Sequence, residues 1–258
     1  MALRPSKALR NAILEGSSFK QMMSNCVLKL YTGSQPSTPE TAPSGSLLAT
    51  FSDASGALTR EVLSAGSVDL TGGGSGSVDT ITVNSIEIMG SATAFNTSLA
   101  LTAADVVTKI NHNPFNLLFT ADVSGTDVIN IRAKPGLGAL ANGWVVASTV
   151  TTITKTDNNM ASGVSAVNGL LWGDATANVI TKHPTQVWSA LASGSGAAGW
   201  FRFEAAVSDA GGTDSTESIL RLDGSVGTSG AELNMASITI VSGVTYTIDS
   251  FAITFPTA

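Results

Sequence analysis

The sequence predicts a mainly β protein: a β-sandwich built from both ends of the chain, an inserted small α+β domain, and a short N-terminal helix. Three observations predict this fold. Of the 258 residues, 12% are charged and 43% are hydrophobic, which is typical of a chain with a sizeable core. Short apolar runs alternate with turns rich in Gly, Ser and Thr. Small-residue stretches at 72–77 and 161–165 flank a segment with a pattern of its own.

Two short helices are predicted ahead of the first strand. Ser6 can cap a helix over residues 7–15, and Gly16 is a suitable residue to end it. A second helix is predicted over residues 19–25. The N-terminus therefore differs from the β-rich remainder of the chain.

Strands 26–32 and 47–52 are predicted next, on either side of a proline-rich connector. The connector, residues 33–45, contains three prolines, which exclude a helix interior and a central strand. We therefore expect an ordered connector or an exposed arm.

The middle of the chain predicts a compact unit with the element order ββαβββ. Its first two strands form a hairpin over 79–89, turning at Asn84-Ser85. A helix over 103–111 is expected to begin at Thr102, which resembles the start of a capping box. The remaining strands are predicted at 117–123, 127–133 and 144–154. The run Gly72-Gly-Gly-Ser-Gly76 is interpreted as a linker at the edge of this unit.

Long β segments return after residue 177, with turn signals at the spacing of a sandwich. Three parts follow from these boundaries: an N-terminal helical anchor (1–25), a sandwich body (26–69 with 166–258) and an inserted α+β module (70–165). The late strands are predicted at 178–182, 186–192, 199–208, 218–226, 232–241 and 244–255.

Charge is unevenly distributed along the chain. The net charge is −6, which argues against a general nucleic-acid binder because phosphate contacts need clustered Lys and Arg. Residues 1–30 hold five basic residues and one acidic residue, a balance of +4, whereas the remainder has a balance of −10. One interpretation is an assembly anchor that docks on an acidic surface of a partner or a second copy. The other is a solvated helix face. The candidate anchor residues are Arg4, Lys7, Arg10 and Lys20.

No sequence motif indicates a catalytic, cofactor-binding or metal-binding residue. One cysteine, Cys26, excludes a disulfide within the chain and is interpreted as a small buried hydrophobe. Asp209, Asp214 and Glu217 surround two glycines but lack the spacing of an EF-hand, so a solvated loop is the preferred interpretation. We therefore expect neither an enzyme nor a bound cofactor.

Aromatic residues concentrate late in the chain. One hypothesis is a surface platform on which a glycan stacks, and the alternatives are a subunit interface and the sandwich core. The candidate residues for an interface or glycan platform are Trp188, Trp200, Phe201 and Phe203.

Several segments near the two ends of the chain share a pattern with a known group of proteins. These segments are Ser6–Leu14, Val27–Pro36, Gly45–Thr50, Ala198–Phe203, Leu222–Gly230 and Ile248–Pro256. They resemble small β-rich virion structural proteins of tailed bacteriophages, over roughly residues 1–53 and 178–258. The middle module looks like a domain inserted into other phage structural proteins. No functional residue is carried over by this resemblance.

The resemblance implies a virion structural protein that self-assembles and decorates or connects parts of the particle. The capsid exterior is the preferred location, and the neck and tail are the other possible locations. The alternative is a neck, tail or fibre component that binds a receptor or glycan. Expected partners are copies of the chain and other virion proteins, with a host-surface glycan under the alternative. No apolar run of 18 residues and no signal-peptide h-region occurs, so we expect no membrane partner and assembly into virions in the host cytoplasm.

Overall fold

The computed structural model describes residues 3–254. The protein is mainly β, with several antiparallel sheets. The helices are α1 (Lys7–Leu14), α2 (Phe19–Met22) and α3 (Leu99–His112). The strands are β1 (Arg4–Pro5), β2 (Val27–Thr32), β3 (Leu47–Asp53), β4 (Ala65–Gly72), β5 (Ser77–Val83), β6 (Ile86–Glu87), β7 (Thr93–Ala94), β8 (Phe119–Ser124), β9 (Val128–Ala133), β10 (Val146–Thr151), β11 (Thr154–Ala161), β12 (Val179–Thr181), β13 (Trp188–Leu191), β14 (Gly196–Glu204), β15 (Arg221–Gly227), β16 (Leu233–Asn234), β17 (Thr239–Ile240), β18 (Thr245–Ile248) and β19 (Ala252–Thr254).

The chain divides into two compact units. Unit 1 comprises the residues up to Arg60 and those from Ala166 onward, and unit 2 comprises Glu61–Ser165. The predicted boundary at residue 70 falls inside β4, because β4 pairs with β9 and β11 and so belongs to unit 2. The glycine run after β4 is a turn to β5 rather than a linker. Gly76 has φ +101°, and a Cβ there would lie 1.9 Å from the carbonyl oxygen of Thr151.

Unit 1 is built around a nine-stranded sheet. Its main path is β1-β15-β14-β2-β3-β13-β18, with β16 beside β15 and β17 beside β14. Strands from the two ends of the chain interleave, since β2 and β3 lie between β14 and β13. Neighbours along the main path are antiparallel, β15 and β16 are parallel, and β12 and β19 form a separate pair.

The N-terminal residues belong to the fold of unit 1 and do not form a separate body. Ser6 caps α1 as predicted, with its Oγ accepting a hydrogen bond from Leu9 N at 3.2 Å. Gly16 follows the helix at φ +94°, which confirms the predicted end. Leu9 is fully buried in the core of unit 1. The second helix is shorter than the predicted 19–25, since it ends at Met22 and Asn25 adopts φ +56°.

Unit 2 contains two four-stranded antiparallel sheets and α3. One sheet has the order β10-β5-β6 with β7 beside β5, and the other has the order β11-β4-β9-β8. The hairpin turn is confirmed, because Asn84 and Ser85 have φ of +50° and +67°, as a type I′ turn requires. Helix α3 begins earlier than predicted: Ser98 is the N-cap, and the Thr102 hydroxyl donates to Ser98 O at 2.8 Å from inside the helix.

Several predicted strands are shorter or divided. The strand predicted at 144–154 is two strands, β10 and β11, separated by Thr152 at φ +65°. With β4 and β7 added, unit 2 holds more strands than the order ββαβββ allows. The segments 232–241 and 244–255 are likewise each divided in two, and residue 255 lies outside the described residues. None of the helices described is both long enough and apolar enough to cross a membrane.

Candidate functional site: the charged face of the main sheet

Strand alternation gives the nine-stranded sheet two chemically different faces. Along β14, Phe201 and Phe203 are buried in the hydrophobic core of unit 1. Trp200, Arg202 and Glu204 therefore lie on the opposite face. There they stand beside their cross-strand neighbours in β2 and β15. We call this set the charged face: Lys29, Tyr31, Trp200, Arg202, Glu204, Arg221, Asp223 and Ser225.

Arg202 and Asp223 form a buried bidentate ion pair at the centre of the charged face. They are direct cross-strand neighbours, and both side chains are fully buried. Arg202 Nε and Nη2 donate to the two Asp223 carboxylate oxygens, each at 2.7 Å. Burial raises the pKa of Asp223, since desolvation outweighs the hydrogen bonds and charge of Arg202. The two parallel hydrogen bonds fix the distance and orientation of these two side chains across β14 and β15.

A second arginine fork joins β15 to the loop that precedes it. Arg221 Nε and Nη2 donate to Asp209 Oδ2 and Oδ1 at 2.6 and 2.7 Å. Burial acts to raise the pKa of Asp209, but the hydrogen bonds from Arg221 and Gly211 outweigh it and hold that pKa below its usual range. Arg221 also donates to Gly212 O at 2.9 Å, so this guanidinium fixes the loop on the sheet.

Glu204 ends β14 between two cations. Its buried carboxylate lies 2.7 Å from Lys29 Nζ and 2.8 Å from Arg60 Nη2. Burial and then the charge of Glu204 raise the pKa of Tyr31 to about 12. Tyr31 stacks on Trp200 with ring centroids 4.5 Å apart, so the apolar end of the charged face is also packed.

The proline-rich connector, residues 33–45, is bound along this face by side-chain donors. The order of the acceptors along the connector follows the order of the donors across the strands. Because prolines lack an N–H, the connector cannot pair as a strand and offers its carbonyl groups instead. The donors and acceptors are Arg4 to Pro36 O at 2.5 Å, Arg221 to Pro39 O at 2.9 Å, Arg202 to Thr41 O at 3.1 Å and Trp200 Nε1 to Ser44 O at 3.2 Å. The connector is therefore an ordered cover, one of the two predicted alternatives.

The arrangement of the charged face favours a structural role, in which charged side chains hold backbone segments in place. Each buried carboxylate described above is bound to an arginine or lysine of the same unit, and the guanidinium groups also hold backbone carbonyls. Forked guanidinium contacts fix both distance and orientation. The charged face thus joins three strands, the connector and the 205–219 loop into one framework.

The structure contradicts the aromatic platform. Trp188, Trp200, Phe201 and Phe203 are each 0% exposed, so no ligand can stack on them at the surface. In the core, Phe203 packs edge-on against Trp188, Phe201 and Phe251, with ring centroids 5.3–5.8 Å apart. Trp188 also makes a tilted contact with Phe251, with centroids 6.2 Å apart. Trp200 is covered on the opposite face by Tyr31 and the connector. The core, one of the alternatives considered from the sequence, is therefore observed for Trp188, Phe201 and Phe203.

Substitution of Trp200 distinguishes these interpretations. We expect Trp200→Phe to lower the free energy of unfolding by about 1–3 kcal/mol, because a buried hydrogen bond and part of a buried ring are lost. Urea unfolding monitored by circular dichroism measures the change. Phe115→Leu, at a side chain 85% exposed, is the control and is expected to change stability by less than about 0.5 kcal/mol. Equal stability of Trp200→Phe and wild type would contradict the buried assignment.

Three of the four candidate anchor residues contact their own unit. Arg4 holds the connector, Lys7 forms an ion pair with Glu217, and Lys20 Nζ lies 2.6 Å from Asp174 Oδ1. Arg10 is exposed. The complementary charges noted in the sequence therefore meet in part within one chain, and docking on an external acidic partner stays a prediction.

The acidic residues of the 209–217 loop are occupied by protein groups. Asp209 binds Arg221, Glu217 binds Lys7, and Asp214 accepts hydrogen bonds from Ile219 N at 2.8 Å and Thr216 Oγ1 at 2.9 Å. Within the described residues, no group of three or more His, Cys, Asp or Glu could hold a metal ion. Cys26 is fully buried, which confirms its interpretation.

Asp214 predicts a pH dependence of stability. Burial acts to raise its pKa, but its hydrogen bonds outweigh burial and hold the pKa below the usual value of about 3.9. A carboxylate with a lowered pKa stabilises the fold above its unfolded pKa, and this contribution is lost as pH falls through the folded pKa. We expect Asp214→Asn to cost about 1–2 kcal/mol at pH 7 and progressively less below about pH 4. Urea unfolding at pH 7, 5, 4 and 3 tests this, and a difference that stays constant with pH would contradict it.

Comparison of the chain with protein-family models, with curated proteins and with solved structures finds no match. The site is therefore defined by its geometry. Sequence reasoning missed the charged face, although a signal was present: charged and apolar residues alternate in Trp200-Phe-Arg-Phe-Glu204 and Arg221-Leu-Asp-Gly-Ser225. That alternation assigns the residues to one face, but only the strand register brings Arg202 to Asp223.

Proposed function

We propose that the protein is a structural component of a tailed-bacteriophage particle, which self-assembles and decorates or connects parts of that particle, with the capsid exterior preferred. The observation that carries the structural role is the charged face. Its buried ionic groups hold strands, connector and loop of one unit in place. Such bracing suits a part whose role is to keep its shape. The phage particle itself is proposed from the resemblance of the chain ends.

The proposal includes the finer architecture: a β-sandwich body formed by unit 1, into which residues 61–165 are inserted as an α+β module. Interleaved strands from both chain ends support the single body. The two ends of the insertion also lie side by side, since Thr59 and Val167 exchange backbone hydrogen bonds at 3.1 Å. When the first and last residues of an inserted segment lie side by side, the insertion disturbs the surrounding sheet little. Unit 2 can therefore carry a separate role, such as a contact with another virion protein.

The glycan-binding alternative loses the residues on which it was based. The aromatic side chains on which it depends are buried. The structural proposal does not depend on these side chains being exposed.

Purified phage particles test the proposal. Mass spectrometry of particles from a host that expresses the chain is expected to detect it in many copies per particle. Electron microscopy with antibodies against unit 2 is expected to place it at a regular position, which distinguishes the capsid exterior from the neck and tail. Absence of the protein from particles that package DNA normally would overturn the proposal.

A further inference from the structure

Side chains close the edge strand β8 of unit 2. An edge strand directs the N–H and C=O groups of every second residue away from its sheet, where they can pair with another chain. On β8, Asn116 pairs with both backbone groups of Phe119 at 3.0 and 3.1 Å. Asn111 does the same for Ala121, at 2.8 Å in both directions. These amides occupy the positions that an added strand would use.

Two further edges are protected in other ways. On β10, the outward N–H groups of Val146 and Ser148 donate to Asn159 Oδ1 at 3.1 Å and Asp157 Oδ2 at 2.9 Å. In unit 1, the edge strand β1 has two residues, and the second is Pro5, which has no N–H. These are recognised ways of preventing strand addition.

The opposite edge of the unit 1 sheet, β18, lacks these protections. The hydrogen bond from Ala192 N to Val244 O at 2.9 Å determines which residues of β18 form hydrogen bonds with β13 and which point away from it. Tyr246 and Ile248 therefore bond to β13, whereas Thr245 and Thr247 direct their backbone groups outward. Within the described residues, no group forms a hydrogen bond to these outward atoms. Thr245 and Thr247 are exposed, and a cleft of about 380 Å³ lined by residues 234–237 and 245–250 lies beside β18.

The surface around β18 suits an uncharged partner. Residues 235–248 include no charged residue and no proline, so neither of the usual barriers to strand addition is present. Leu191, Val241 and Val244 are 61%, 50% and 45% exposed next to this edge. Two copies that each carry a net charge of −6 repel one another, and they approach at least cost where neither surface is charged.

We propose that β18 is a self-association surface on which β18 of a second copy adds as an antiparallel strand across a twofold axis at Tyr246. The pattern is self-complementary: with Tyr246 opposite itself, Thr245 faces Thr247 of the second copy. Each of the two Thr245–Thr247 pairs then exchanges two backbone hydrogen bonds, four in all. The twofold axis closes the interface and limits it to a dimer. This inference rests on the proposed self-assembly and names its surface.

Analytical ultracentrifugation of the full chain tests the surface. Wild type is expected to dimerise in a concentration-dependent manner. The double substitution Thr245→Lys with Thr247→Lys is expected to raise the dimer dissociation constant at least about tenfold, because like charges would face one another across the axis. Thr213→Lys with Ser215→Lys adds the same charge on an exposed loop of unit 1 and is the matched control.

A second variant tests whether the added charge alone weakens dimerisation. Thr247→Pro removes one outward N–H without adding charge and is expected to weaken dimerisation as well, with circular dichroism confirming the fold. A wild-type chain that associates while both β18 variants associate equally well would overturn the β18 surface but not self-assembly. A wild-type chain that stays monomeric at all concentrations would overturn both.

Discussion

Deletion of residues 1–16 is expected to destabilise unit 1 by about 4 kcal/mol or more. Loss of a buried leucine such as Leu9 alone costs about 2–5 kcal/mol. The deletion also removes the Ser6 contacts to β15 and the loop before it: Ser6 N to Arg221 O at 2.9 Å, and Ser6 Oγ to Ile219 O at 2.8 Å. Arg221 N would also lose Ser6 Oγ, its acceptor at 3.1 Å.

Urea unfolding of the purified deletion variant measures this effect. Tryptophan fluorescence is a suitable readout, because Trp172, Trp188 and Trp200 are all buried in unit 1. Lys7→Gln with Arg10→Gln is the matched control, since it removes exposed charge and leaves β1 and Leu9 in place. Exposed ion pairs contribute about 0–1 kcal/mol, so the control is expected to unfold near wild type. A truncated chain that unfolds like wild type but no longer enters particles would restore the separable anchor.

Asp223→Ala is expected to lower the free energy of unfolding by about 3–5 kcal/mol, because it leaves the buried Arg202 guanidinium without its carboxylate. The double variant Arg202→Met with Asp223→Leu removes both charges and is expected to be clearly more stable than Asp223→Ala. Buried ion pairs replaced by apolar residues of similar volume are often neutral or stabilising. Comparison of the two variants therefore separates the cost of an unpaired charge from the value of the pair.

Asp122→Ala is the control for Asp223→Ala. Asp122 pairs with Arg132 at 3.0 Å, but both side chains are about half exposed, so its loss is expected to cost less than about 1 kcal/mol. Chemical unfolding of all three variants at one pH provides the comparison. Similar destabilisation by Asp122→Ala and Asp223→Ala would contradict the assignment of Arg202 and Asp223 as a buried pair.

Local signals in the sequence were sufficient for some elements. The Ser6 cap, the Gly16 stop and the Asn84-Ser85 turn each depend on residues a few positions apart, and each occurs as predicted. The start of α3 was placed four residues too late because Ser98 and Thr102 are both suitable caps by type. Ser98 is the cap in the structure, because Leu99–Leu101 form the first turn of the helix. The residues next to Ser98 and Thr102 in the sequence do not show which of the two caps the helix.

The aromatic residues show a different limit. Alternation along β14 correctly separates Phe201 and Phe203 from Trp200 and Arg202. It does not reveal that both faces of the strand are covered, since the second cover is the connector, more than 150 residues earlier in the sequence. A buried tryptophan therefore had the same local pattern as an exposed one.

By itself, the sequence determined that the protein is mainly β, that short helices precede the first long strand and that charge is scarce and uneven, because composition and short-range periodicity carry this information. Only the tertiary structure decided where the scarce charges act. Arg4, Arg202 and Arg221 reach acceptors 32 to 182 residues away, and Asp223 becomes the partner of Arg202 through strand register. The open edge at β18 was equally invisible, since whether a strand lies inside a sheet or at its edge depends on the pairing of the whole chain.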